Sequence, residues 1–229
     1  AQGFRAPQAN ELYRLQGNQA VADLDSEEIA NIELGVRGTL GDALRYSVSG
    51  YYMEKDNVIF QDADRFNVSG ASTRHYGTEL SIDYRLAEGW RIAADLTAAR
   101  HTYDSRIELL GVNEGIKGND IDTAPRVFGS ARVQWNPAEW AGFDPLAELE
   151  WIYMDEYYLE PTNTYKYDGH SLLNLRLQAT FRGGVTTSLR VTNLLDEDYA
   201  ERADFGFGNY RYFVGQPRAA FVEVAYRWQ

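Results

Sequence analysis

Residues 173–191 read LNLRLQATFRGGVTTSLRV, and this stretch decides the fold. Leu173, Leu175, Leu177, Ala179 and Phe181 alternate with Asn174, Arg176, Gln178, Thr180 and Arg182. Successive side chains of a strand point to opposite sides, so this alternation makes one greasy face and one wet face. Gly183-Gly184 separates two such strands with no helix behind it, which marks a tight hairpin turn and not a phosphate cradle. Gly41-Asp42 reads the same way.

Outward from this hairpin the pattern recurs in nine stretches of 11 to 18 residues: 29–40, 43–60, 73–86, 90–103, 124–136, 146–158, 169–182, 185–197 and 218–228. Their connections alternate between short (41–42, 87–89, 137–145, 183–184) and long (61–72, 104–123, 159–168, 198–217). Soluble strands average about 5–6 residues, whereas a tilted strand needs about 9–11 to cross a bilayer. A soluble sandwich would turn the apolar face into a core, and a membrane barrel would turn it to lipid. Periodicity does not separate the two; aromatic placement does. Trp90, Trp135, Phe181 and Trp228 lie at strand ends beside a short link or the C-terminus, in phase with the apolar face. Tyr51, Tyr52, Tyr103, Tyr153, Tyr157 and Tyr158 gather at the opposite ends. Two aromatic girdles are what a membrane barrel requires at its two interfaces.

Composition narrows the function. The chain is 44% hydrophobic, yet its mean hydropathy is -0.47 and no apolar run approaches a transmembrane helix, so any crossing is made by strands. The 229 residues contain no cysteine, which excludes a disulfide-stapled module and a thiolate metal site. A net charge of -12 disfavours nucleic acid, which needs clustered Lys and Arg. Ala1 to Arg14 has no basic start with an apolar core, so no signal peptide is expected there. Bacterial single-chain barrels have even strand numbers, so nine strands lead us to expect a portion of a larger barrel.

Five segments carry a family resemblance. Gly3-Phe4-Arg5-Ala6-Pro7-Gln8 with Glu11-Leu12-Tyr13, then EIANIELGVRG (28–38), the segment from Asn119 to Arg126, VTNLLDEDY (191–199) and Gly215-Gln216-Pro217-Arg218 before the terminal Tyr226-Arg227-Trp228 stand in order along the chain. Together they resemble the late barrel of TonB-dependent outer-membrane receptors. The resemblance implies an all-β, antiparallel transmembrane barrel of about 22 strands, of which residues 1–229 would form the C-terminal portion of nine. It also implies a plug domain elsewhere, TonB as the energy-delivering partner, outer-membrane lipid around the wall, and capture of a bulky chelate such as a ferric siderophore by the outer loops. Gln229 after Trp228 departs from the family's habit of ending on an aromatic residue. The competing class is an independent small barrel acting as a pore or adhesin.

Other chemistry is sparse. The three histidines, His75, His101 and His170, lack metal-ligand spacing along the chain, so no metal site is expected. His170 and Ser171 are adjacent in a strand and point to opposite faces, which disfavours a hydrolase. The acidic runs Asp155-Glu156 and Asp196-Glu197-Asp198 lack calcium-loop spacing. The wet face mixes Arg37, Arg45, Arg85, Arg91, Arg132 and Arg176 with Glu33, Asp83, Asp95 and Glu150, a pattern suited to ion pairs and plug contacts. The expected ligand-binding residues are Arg65, His75, Tyr76, His101, Tyr103, Tyr157, Tyr158, Tyr165, Tyr167, Phe207, Tyr210 and Tyr212, aromatic faces and donors on the long links and upper strand ends. No cofactor and no catalytic residue are expected.

Overall fold

A computed structural model describes residues 1–16, 18–61, 66–105, 115–138, 140 and 142–228. Its elements are β1 (Gln2–Arg5), α1 (Ala9–Tyr13), β2 (Glu27–Leu40), β3 (Leu44–Gln61), β4 (Asn67–Ala87), β5 (Trp90–Tyr103), β6 (Val127–Trp135) and β7 (Phe143–Met154). After these come β8 (Tyr157–Tyr158), β9 (Lys166–Tyr167), β10 (His170–Phe181), β11 (Val185–Thr192), β12 (Ala200–Gly206), β13 (Asn209–Val214) and β14 (Ala219–Tyr226). One antiparallel sheet of ten strands runs β1-β2-β3-β4-β5-β6-β7-β10-β11-β14, an unbroken up-and-down meander. The pairs β8-β9 and β12-β13 stand apart as small hairpins in the long outer links.

Nine of the ten strands match the stretches read from the sequence, and β1 adds a short edge. Register fixes the faces. Leu80↔Leu96↔Gly129↔Tyr153↔Ser171 and Trp90↔Trp135↔Ala147↔Leu177↔Leu189↔Val222 are lateral rows on the apolar side, while Glu79↔Thr97 and Asp83↔Ala93↔Arg132↔Glu150↔Asn174 lie on the polar side. A one-residue slip would exchange the two sides, so the pattern itself holds the register.

Among the described residues nothing covers the apolar face. Leu96 and Leu177, in the middle of the sheet, are about two-fifths exposed, and Ile32 and Leu34 near one edge reach 78% and 82%. So much contiguous exposed apolar surface is untenable in water and natural in lipid. At the inner end an aromatic chain runs Trp90, Trp135, Trp140, Phe143, Phe181, with successive ring centroids 5.5–6.4 Å apart. This is one girdle. At the outer end Tyr52, Tyr76 and Trp151 face outward, with Trp151 Nε1 donating to Ser171 Oγ at 2.6 Å. The other girdle is smaller than expected: Tyr51 and Tyr103 have the phase of the polar face, and Tyr157 is buried among the outer links.

The inner turns need glycine for geometric reasons. Gly183 and Gly184 both adopt positive φ, 110° and 85°. A Cβ on Gly184 would also sit 2.5 Å from the carbonyl oxygen of Arg227, whose N–H donates to Gly184 O at 2.9 Å. The turn therefore closes against the final strand. The sheet itself is open: β1 pairs β2 only from Glu27 to Ala30, and β14 ends the order at the other side.

Strand limits depart from the sequence reading where the alternation is interrupted. The stretch 146–158 breaks after Met154, and 185–197 stops at Thr192, because Asn193 and Asp196 turn the chain at φ of 48° and 59°. β4 begins at Asn67, six residues before 73, through a segment with register shifts against β3 between Lys55 and Phe60. At 18 and 21 residues, β3 and β4 exceed a membrane span and form a ribbon above it. On the polar face the mixed charges do pair, Asp83 with Arg91 and Arg45, and Asp95 with Arg132 at 3.7 Å.

Candidate functional site

Three long links converge at the outer end and hold the largest cluster of buried apolar side chains among the described residues. Tyr157, Leu159, Tyr167, Ala200 and Ala203 form a core between β8-β9 and β12-β13, with Met154, Tyr165 and Phe205 packed against it. Among the described residues the largest fully buried side chains, Ile116 and Leu159, both belong to these links. Backbone bonds join the hairpins, Phe205 N–H donating to Leu159 O at 2.9 Å. Two tyrosine hydroxyls act as pins: Tyr157 accepts from Ala203 N–H at 2.8 Å, and Tyr167 accepts from Ala200 N–H at 3.0 Å. Burial raises the pKa of both phenols, which keeps them protonated.

The link before β6 is laced to the same cluster. Asn163 Oδ1 accepts from Asp120 N–H at 2.7 Å while its Nδ2 donates to Asp120 O at 2.8 Å, and Thr123 N–H donates to Tyr158 O at 2.8 Å. The Asp120 carboxylate is buried between Arg100 Nε, at 2.8 Å, and Arg126 Nε, at 2.9 Å. Burial pushes its pKa up, and the two guanidinium bonds outweigh burial and hold it below the ordinary carboxylate value. Glu160 organises the β8-β9 turn. Its carboxylate accepts from the backbone N–H of Thr162 and Thr164, both at 2.6 Å, and of Tyr165 at 3.1 Å, and from the Thr162 hydroxyl. Here too burial is the largest influence, and the hydrogen bonds overcome it to lower the pKa.

This scaffold presents an aromatic wall. Tyr165 stacks on Phe205 with centroids 4.1 Å apart, Tyr210 meets both rings edge-on at 5.5 and 5.4 Å, and Tyr212 lies parallel to Tyr210 at 6.2 Å. Phe207, at the β12-β13 tip, is 90% exposed, and Arg211 beside it is paired with Asp204 at 2.5 Å. Half-exposed rings held by a buried core suit contact with a large planar or aromatic ligand.

The structure sorts the expected ligand residues into groups. Tyr165, Phe207, Tyr210 and Tyr212 come together on the outer hairpins. Tyr157 and Tyr167 lie beneath them as buried supports, and Tyr158 carries the Lys166 ammonium 4.8 Å from its ring centre. His75, His101 and Tyr103 line the polar face, His75 beside His101 and the Tyr103 hydroxyl donating to Asp122 at 2.7 Å. Tyr76 stands apart from these, because its register with Tyr52 and Arg100 puts it on the outward face. Arg65 lies outside the described residues. Sequence reasoning missed Asp120, Glu160, Asn163 and Asp204, and their only signal was an acidic or amide residue within a link, because their partners come from distant segments.

Comparison with known proteins fits this architecture. Residues 1–194 match the family described as TonB dependent receptor-like, beta-barrel. The ferric-pyoverdine BN7/BN8 receptor of Pseudomonas putida is 24% identical over 204 residues, covering 89% of this chain and 23% of its own length. Among solved structures, the ferric yersiniabactin uptake receptor of Yersinia pestis superposes with a TM-score of 0.77 at 18% identity, over 98% of this chain and 33% of that one. The pyoverdine outer membrane receptor of Pseudomonas aeruginosa PAO1 gives 0.70 at 19% identity, over 99% and 33%. The chain thus spans about a quarter of the curated relative and a third of these structures. TonB-dependent receptors are β-barrels of the Gram-negative outer membrane. With its nine spanning strands, two girdles, laced outer links and a family match over most of its length, this chain belongs to the TonB-dependent receptor family and forms part of the barrel wall.

Proposed function

We propose that this chain is the C-terminal part of a receptor that takes up a ferric siderophore or a similarly bulky metal chelate, driven by TonB and gated by a plug domain. It acts as a transporter and carries out no catalysis. The observation that carries this reading is the aromatic wall of Tyr165, Phe205, Tyr210 and Tyr212, built where two outer hairpins share one core. Phe207 and Arg211 extend that surface at its tip, an exposed ring with the Asp204-paired guanidinium 5.9 Å from its centre, both within reach of an anionic chelate. The names of the ferric-pyoverdine and ferric-yersiniabactin receptors point to the same cargo class.

The test uses the full-length receptor in its outer membrane. Tyr210→Ala and Phe207→Ala should each weaken binding of a cognate ferric siderophore, drawn from a panel that includes ferric pyoverdine, by roughly tenfold, as aromatic anchors at interfaces do. Receptor levels in the membrane should not change. If no ferric chelate in the panel binds, and deleting the gene leaves growth on all of them intact, the reading fails.

A further inference from the structure

Three residues on the polar face stand side by side on adjacent strands above the membrane-spanning ladder. Register pairs Met53 of β3 with His75 of β4, and His75 with His101 of β5, so the three share one lateral row. Directly opposite residues have Cβ atoms about 4.5–5.5 Å apart, within reach of one ion for side chains of this length. All three are half-buried. Among the described residues no group of three His, Cys, Asp or Glu is placed to hold a metal, and this row is of a different kind, two imidazoles and a thioether.

The two histidines are already in contact through their rings. The two Nδ1 atoms are 2.9 Å apart. Two nitrogens bound to one ion at about 2.0–2.1 Å, with an angle between right and tetrahedral, stand roughly 2.9–3.4 Å apart. His75 Nε2 lies 2.9 Å from Thr73 Oγ1. Donation of the Nε2 proton to that hydroxyl leaves Nδ1 of His75 as a lone pair, and a partner that fixes the tautomer is what metal-binding histidines have. In that tautomer and without metal, His101 Nδ1–H would donate to His75 Nδ1 across the 2.9 Å contact. On binding, His101 moves its proton to Nε2 through solvent and turns its own Nδ1 lone pair to the ion, so no proton is gained or lost overall.

The ligand set also selects the ion. Met, His and His are all neutral, and Lys55 projects from the same face two residues from Met53, partly offset by Glu27 at 3.8 Å. A site without anionic ligands beside an ammonium disfavours ions of high charge, and thioether with imidazole suits soft copper. We propose that Met53, His75 and His101 form a binding site for copper(I), separate from the aromatic wall and independent of the chelate proposed above.

The experiment uses the full-length receptor in detergent, titrated anaerobically with copper(I) against a chromophoric copper(I) chelator. One equivalent should be withdrawn from the chelator. His75→Gln, His101→Gln and Met53→Leu should each weaken retention at least tenfold, and X-ray absorption should show one sulfur and two nitrogens about the copper. Iron(III) alone should not be retained. Equal retention by the wild type and the His75→Gln/His101→Gln double variant would overturn the site, and so would unchanged retention in Met53→Leu or a first shell without sulfur. Because these lumen-facing changes leave the apolar wall untouched, heat-modifiable migration on gels confirms that each variant is folded.

Discussion

The wall and the outer links of this molecule are built by opposite rules. In the wall, apolar side chains such as Leu96, Leu177 and Val222 point away from all other protein, and a polar face lines the interior. In the links, apolar side chains are buried as in a water-soluble domain, Leu159 to 1% exposure, and polar groups such as Asp120 and Glu160 lie inside with every visible partner supplied by the protein. The difference teaches where the solvent changes. The wall takes lipid as its missing core, and above the membrane the chain must make its own.

The largest effect should come from reversing the solvent rule in the wall. Leu175→Arg puts a charge on the outward face and should cost about 2–4 kcal/mol if it lies near the midplane, whereas Gln178→Arg on the inner face should stay within about 0.5 kcal/mol. Folding titrations of the full-length protein into lipid vesicles compare the two, and equal costs would mean the faces are misassigned. Next comes the links' own core. Leu159→Ala should cost about 2–4 kcal/mol locally, the range for a buried leucine that leaves a cavity. Hydrogen exchange should then quicken in 155–169 and 199–214 while β5 and β6 keep their protection. Uniform loosening of wall and links would erase the distinction between them.

The smallest effect concerns a strap at the edge of the sheet. Glu27 accepts from Arg5 Nε at 2.8 Å and from Ile59 N–H at 3.0 Å, and Arg5 also binds Glu11 at 2.9 Å. The Arg5 bond, opposed by burial, holds the Glu27 pKa at about 2 against an ordinary 4.5. The group's folded pKa lies below its unfolded one, so its contribution is complete above about pH 4.5 and is lost as pH falls toward 2. Protease susceptibility of residues 1–16 should rise across that window and not between pH 8 and 5, and Glu27→Gln should reduce the pH dependence to the part carried by the Arg5–Glu11 pair. A strap that opens at neutral pH would point to some other group.

The same division explains what the sequence disclosed. All nine spanning strands were legible because a bilayer enforces a strict period of two, and alternation in LNLRLQATF is unmistakable. Boundaries failed where that demand ends: past Met154, past Thr192, and in the first residues of β4, where no bilayer disciplines the pattern. β9, β12 and β13 were read as loops, and β8 as the end of the 146–158 strand, because two to seven residues of mixed polarity carry no period. For the site, residue type pointed to tyrosines at the rim, but not to which would be buried. Tyr157 and Tyr167 spend their hydroxyls on backbone groups more than thirty residues away, a pairing no local pattern encodes. The contact between His75 and His101 is likewise visible only once register is known.

The shared core of the two outer hairpins bears on how such receptors diversify. Tyr157 and Tyr167 from one hairpin fasten Ala203 and Ala200 of the other, and Leu159 is enclosed between them. Neither hairpin has an interior of its own. Exchanging one of them between receptors would strand its partner's pins and open a void, whereas transplanting the two segments together carries a finished interior onto any wall of matching register. Recombination and laboratory grafting of specificity should therefore treat residues 155–169 and 199–214 as a single cartridge, inherited or swapped as a pair.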